Sequence, residues 1–243
     1  MLIEVCCGSA EDAIRSAEGN ADRVELCSSL FLGGLTPSIG SLKTVKAHSD
    51  IKVMAMVRPR EGGFCYNEYE FECCLRDAEA LLEAGADGLV FGFLTKDGEV
   101  DVKRVEKMMT LARGVDTTFH RAIDVVPNYK DAIDALVSAG VKRILSSGLE
   151  ASVFEGAENL AAMNSYADGR IIIMPGAGIT LKNIKKIAEV TSCKEMHVAF
   201  YKSQEDVSVH NNRSIFYGGA LYPPEDRYNV VDSAALIQAR EAL

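Results

Sequence analysis

Eight times along the chain, a short apolar run rich in β-branched residues gives way to a segment with helical periodicity. That alternation restricts the fold more than any other feature. The runs are Leu2–Cys6, Arg23–Cys27, Lys52–Val57, Gly88–Gly92, Asp116–Phe119, Arg143–Ser146, Arg170–Met174 and Glu195–Ala199. Most are continuously apolar, as strands covered on both faces are. The helical patterns between them cover Ala10–Glu18, Ser38–Ala47, Glu68–Glu83, Val102–Ala112, Tyr129–Ser138, Gly156–Tyr166 and Leu181–Glu189, and a last one covers Ser233–Glu241. Eight strand–helix units in 243 residues match a single α/β domain, 1–243, folded as a (β/α)8 TIM-type barrel of about 250 residues. An open doubly wound sheet would need a reversal of strand order.

A weak internal repeat supports the count. Gly19, Gly85 and Gly140 each end a helical pattern a few residues before strands two, four and six. Each is expected in the left-handed region that glycine enters without penalty. One connection is oversized, a long loop after strand eight over about 201–231, with Gly218-Gly219 and Pro223-Pro224. A loop of that length is expected to be a lid, a contact surface or a disordered segment.

The net charge of −9 and pI near 5.0 argue against a nucleic-acid partner. With no run of 18 apolar residues, no membrane span is expected. The first residues read directly as a strand rather than a leader, so the expected location is cytoplasmic. Seven cysteines, an odd number with no Cys-x-x-Cys spacing, suit reduced thiols better than a disulfide framework.

In a parallel barrel, side chains at the carboxyl ends of the strands converge on one mouth. Strand alternation sorts these side chains into inward and outward sets. Glu4 shares a face with Cys6, and Glu25 with Cys27, while Cys7 faces the helices. Arg58 follows Met54 and Met56. His120 follows Thr118 and leads into Arg121 and Asp124. His197 ends strand eight, beside strand one. His197, Glu4, Cys6, Glu25 and Cys27 are therefore expected to form one arc. Glu4 or Glu25 could pair with Arg58 merely to close the barrel.

The alternative is chemistry, because unpaired buried charge is costly. In that reading Glu4, Glu25, His120, Asp124 and His197 are the acid–base candidates. Arg58 and Arg60 flank a stiffening proline, and with Arg121 they suit an anion. Gly176 and Gly178 after strand seven, and Ser147 after strand six, could add donors at the usual anion position of a barrel. Cys6 and Cys27, on strands about 4.8 Å apart, could instead hold a soft ion such as Cu(I).

Several stretches resemble the CutC copper-homeostasis family. They are Asn20-Ala21-Asp22-Arg23-Val24-Glu25-Leu26-Cys27, Gly33-Gly34-Leu35-Thr36-Pro37-Ser38, Arg58-Pro59-Arg60, Thr118-Phe119-His120-Arg121-Ala122-Ile123-Asp124 and Met174-Pro175-Gly176-Ala177-Gly178. The resemblance runs from residue 2 to about 198. It implies a TIM-type barrel, a cytoplasmic protein and a link to copper tolerance with Cu(I) binding. Two stretches depart from the family pattern. His197-Val198-Ala199-Phe200-Tyr201 lacks the serine-bearing stretch usual there, so no hydroxyl role is expected. Lys202–Asn229 matches poorly. The expected partner is a copper ion or a small anionic ligand, and a homo-oligomer is compatible with either.

Overall fold

A computed structural model describes residues 1–209, 211–212, 214–218 and 223–243. Eight parallel strands form the sheet: β1 (Leu2–Cys7), β2 (Arg23–Leu26), β3 (Lys52–Met56), β4 (Gly88–Phe91), β5 (Asp116–Phe119), β6 (Arg143–Ser146), β7 (Ile172–Pro175) and β8 (Glu195–Val198). From β1 to β7 each strand pairs with its sequence neighbour, and β8 pairs back onto β1, which bends the sheet into a nearly closed barrel. β7 and β8 pack side by side without a ladder among the described residues.

Helices α1 (Ala10–Glu18), α2 (Ile39–His48), α3 (Glu68–Glu83), α4 (Val102–Leu111), α5 (Tyr129–Ser138), α6 (Ala157–Ala167), α7 (Ile184–Thr191) and α8 (Ser233–Ala242) alternate with the strands. Polar N-caps start them: the side chains of Ser9, Ser38, Asn67, Asp101 and Asn128 each accept a first-turn amide, satisfying donors that a helix leaves open. Outward strand residues such as Val5, Cys7, Leu26, Ala55, Phe91 and Ile144 pack under the helices in one core. A second, smaller cluster of Cys27, Met54, Met56 and Val90 lies inside the barrel.

The helix-ending glycines behave as expected at Gly85 (φ +99°) and Gly140 (φ +81°). At the first repeat, however, Gly19 is ordinary and Asn20 takes the left-handed position at φ +62°. Asparagine tolerates this region best among non-glycine residues, so the turn moved by one residue without cost.

The long connection is not a plain loop. Its ends pair as an antiparallel ribbon, β9 (Tyr201–Glu205) with β10 (Arg227–Val231). Both strands are largely solvent-exposed, so they lack the apolar run by which a strand announces itself in sequence. The ribbon is tied to α1, where Asp12 accepts the Val231 amide and Arg15 donates to Gln204. Gly219 of the glycine pair lies outside the described residues.

Candidate functional site

The register of β1, β2 and β8 brings the expected arc together. Glu4 lies opposite Arg23 on one side and His197 on the other, and Cys6 lies opposite Glu25. Cys27 continues two residues beyond Glu25. The two cysteines therefore sit at different heights along their strands, yet their sulfurs and a Glu25 oxygen all lie within 4.8 Å of one another. Glu25 Oε2 is the hub, 3.4 Å from Cys27 Sγ, 3.8 Å from Cys6 Sγ and 3.7 Å from His197 Nε2. Glu4 Oε1 meets His197 Nδ1 at 2.9 Å. Cys7 turns to the helices and contacts Ser16, as alternation requires.

Glu4 is not paired with Arg58. Its Oε2 accepts from Arg23 Nε at 2.5 Å, and Arg23 also binds Glu195, which accepts from Arg143 in turn. This layer beneath the mouth uses Arg23, Arg143 and Glu195, three inward-facing residues that the sequence reading passed over. Their signal was available: each occupies a register position on its strand that faces the barrel interior.

The layer below sets the charges above. Burial opposes ionisation of Glu4, but the His197 and Arg23 contacts outweigh it and hold its pKa near 2. Burial pushes Glu25 up to about 8, despite attraction from His197. A hydrogen bond from Cys27 lowers the Cys6 thiol well below its ordinary value, with His197 helping, and the same bond raises Cys27. Burial works against a charged His197, but Glu25, Cys6 and Glu4 together raise it. The arc thus favours a Cys6 thiolate beside a protonated His197, with the Cys27 thiol donating to Glu25.

A hydroxyl does stand after β8. Tyr201, at the base of the ribbon, donates to the Cys6 carbonyl at 2.7 Å and lines the mouth. The residues after β8 show no such role by type, because the Tyr201 side chain reaches the site only through the turn into β9.

The mouth opens into a cavity of about 600 Å³. Cys6, Glu25, Cys27, Arg58, His120, Arg121, Gly178 and His197 all line it, together with Met56, Phe64 and Tyr201. Gly92 makes room for His120, since a Cβ there would run into the imidazole. His120 Nδ1 accepts the Ala122 amide at 3.1 Å, which leaves the proton on Nε2, and that atom has no partner. Burial, and then the Arg58 charge, depress its pKa to about 3. His120 therefore stands in the cavity wall as a neutral imidazole with its proton on Nε2.

Several expected ligand-holding residues have other work. Arg58 donates to the carbonyls of Leu32, Gly34 and Gly62 and so ties down the glycine-rich loop over Cys27. Arg60 pairs with Glu70 and lies over the Tyr66 ring, closing the β3–α3 loop away from the cavity. Asp124 accepts from Ser146, Ser147 and Arg121, which engages both of its oxygens within the fold. Ser147 is engaged with Asp124, Arg121 and Glu150 and does not line the cavity. Gly176 gives its amide to the Ser146 carbonyl in the strand ladder, and a Cβ there would press on Leu145. Its role is close packing, not anion binding. In each case a polar group found a nearer partner within the fold, which residue type alone does not reveal.

The CutC family model matches residues 1–202. A CutC family protein of Treponema denticola is 53% identical over 228 residues, covering 94% of this chain and 93% of its own. A human copper homeostasis protein cutC homolog is 39% identical over 231 residues, covering 95% and 85% respectively. Among solved structures, a CutC from Streptococcus agalactiae superposes with a TM-score of 0.77 at 35% identity, over 81% of this chain and 97% of that one.

Proposed function

The chain belongs to the CutC family, and we propose that it is a cytoplasmic copper-homeostasis protein that binds Cu(I) between Cys6 and Cys27. The observation that carries this reading is the meeting of the two sulfurs within 4.8 Å at the barrel mouth. Metal–thiolate bonds of about 2.3 Å, as for zinc, allow two sulfurs to lie at most about 4.6 Å apart. The pair therefore needs almost no movement to share one ion. The surroundings suit a soft monovalent metal, because Met56 lines the same cavity and Met54 packs with Cys27 beneath it. Sulfur ligands select Cu(I) over harder cations.

Cys6 already favours the thiolate a metal requires, and binding would release the proton that Cys27 holds. Glu4 accepts from His197 Nδ1, which keeps the imidazole beside the hub. All seven cysteines are unpaired, which fits a reducing compartment. No helix among the described residues is long and apolar enough to cross a membrane.

Anaerobic titration of the reduced protein with Cu(I), against a chromophoric competing chelator, tests this reading. One-to-one binding that is lost in both Cys6→Ser and Cys27→Ser is the expected result. Binding indifferent to both substitutions would remove the metal from this pair.

A second reading is favoured by one observation that copper does not explain. The cavity is far larger than a bare ion needs, and two buried atoms on its walls, Glu25 Oε1 and His120 Nε2, have no partner. Buried polar groups left open in a native fold await a ligand or water. The chain would then be an enzyme acting on a small anionic molecule, with the Glu25–His197 pair moving protons. Turnover of a small-metabolite pool, abolished in His197→Gln, would establish it.

A further inference from the structure

The thiol pair occupies only the β1–β2 side of the mouth. The opposite side, built by β5, β6 and β7, carries a different chemistry. We propose that this side is a phosphoryl-binding subsite, in which the amides of Ala177, Gly178 and Ile179, the Arg121 guanidinium and His120 Nε2–H hold the phosphate of a small phosphorylated molecule. The proposal deepens the second reading and is independent of copper.

The loop after β7 is rigid in a particular way. The Ala177 carbonyl accepts the Val153 amide at 2.9 Å, and the Gly178 carbonyl accepts from Asn183 Nδ2 at 2.9 Å. Asn183 Oδ1 in turn holds the Thr180 amide at 2.7 Å. The acceptors of the loop are thus turned to protein partners. Its donors are not: the amides of Ala177, Gly178 and Ile179 have no hydrogen-bond partner among the described residues. Ala177 and Gly178 are both left-handed, at φ +74° and +87°. Free backbone amides are donors to which an anion can bind, and Ala177, Gly178 and Ile179 all line the cavity.

The side chains nearby point to the same ligand. Arg121 is fixed by Asp124 through Nε at 2.8 Å and by Ser147 through Nη2 at 2.7 Å, while Nη1 has no partner among the described residues. This explains the saturated Asp124, which holds a guanidinium at the rim of the cavity. His120, only 4% exposed, lines the cavity with an unpartnered Nε2–H. These groups are all donors, and Asp124, the carboxylate that contacts Arg121, is fully occupied.

Three amides, a guanidinium nitrogen and an imidazole N–H outnumber what the two oxygens of a carboxylate can accept. A phosphate monoester, with three terminal oxygens and close to two negative charges, matches them better. Phe64 and Leu145 add apolar wall to the same cavity. The organic part of the ligand would therefore reach toward Glu25 and Cys6.

The test is NMR titration of the ¹⁵N-labelled full chain with inorganic phosphate, glycerol phosphate and acetate. Saturable shifts of the Ala177, Gly178 and Ile179 amides by both phosphates are expected. Arg121→Lys, which keeps the charge but loses the planar fork, is expected to weaken phosphate about tenfold, the size of one charge-assisted contact. Cys6→Ser should leave phosphate affinity unchanged. Shifts that never saturate, equal affinity for acetate, or indifference to Arg121→Lys would overturn the subsite. Phosphate binding without turnover of any phosphorylated substrate would retain the subsite and remove the enzymatic reading instead.

Discussion

The floor and the mouth of this barrel are built from the same strands but treat carboxylates in opposite ways. In the floor, the buried Glu4, Arg23, Glu195 and Arg143, with the exposed Asp116 at the end, form a chain of ion pairs in which every carboxylate is engaged, although Arg143 Nη1 has no partner. One layer higher, Glu25 and His120 are as deeply buried, yet each leaves an atom without a partner. Paired buried charges hold the barrel in one arrangement, whereas open buried groups persist because something else is meant to meet them. Glu4 joins the two regions, taking Arg23 on one oxygen and His197 on the other. The floor thereby orients the histidine of the mouth.

The difference can be broken most forcefully at Arg23. Arg23→Met leaves Glu195 with Arg143 alone and Glu4 with His197 alone, and is expected to cost about 3–5 kcal/mol in urea unfolding. A loss below about 1 kcal/mol would mean that the floor is no more essential than a surface ion pair.

A mouth residue tests the comparison through pH. Folded His120 takes its proton only near pH 3, whereas the unfolded chain binds one near 6.5. Between those values the unfolded state holds the extra proton, so stability falls as pH falls, by about 1.4 kcal/mol per pH unit from this group. His120→Asn should flatten the acid limb by that slope while leaving stability above pH 7 nearly unchanged. Parallel acid limbs in the two proteins would show that His120 is not held neutral.

At pH 5, the smallest effect is expected at Glu25. Its folded pKa of about 8 stands above the ordinary 4.5, so the folded state keeps a proton that the unfolded chain has released. Stability should fall as pH rises from 4.5 toward 8, then level off. Glu25→Gln mimics the protonated form; at pH 5 its stability should match the parent within about 1 kcal/mol. By pH 8 the variant should be the more stable. Equilibrium unfolding at both pH values decides this, and a variant that is weaker at both would place Glu25 among the structural ion pairs of the floor.

Much of this was legible along the chain. All eight strands of the barrel fall within about two residues of their expected bounds, because a strand buried on both faces must be continuously apolar. Alternation then placed Glu4, Cys6, Glu25, Cys27 and His197 in one arc, and the register confirms it. The β9–β10 ribbon was illegible because its strands are exposed and have no face to bury. Asp124, Ser147 and Arg60 looked like site residues by type and position, yet each found partners in its own loops.

The sequence by itself determined the barrel, the inward identity of each strand residue and the side of the molecule on which the chemistry lies. These follow from local periodicity, which the chain carries residue by residue. Only the tertiary structure decided which polar groups satisfy one another and which remain open. Pairing depends on distances between strands and loops far apart in sequence. Arg23 meets Glu195 across 172 positions, and Tyr201 reaches the Cys6 carbonyl across 195. A side chain's type fixes what it can bond, but the folded geometry fixes whether a nearer partner has already taken it.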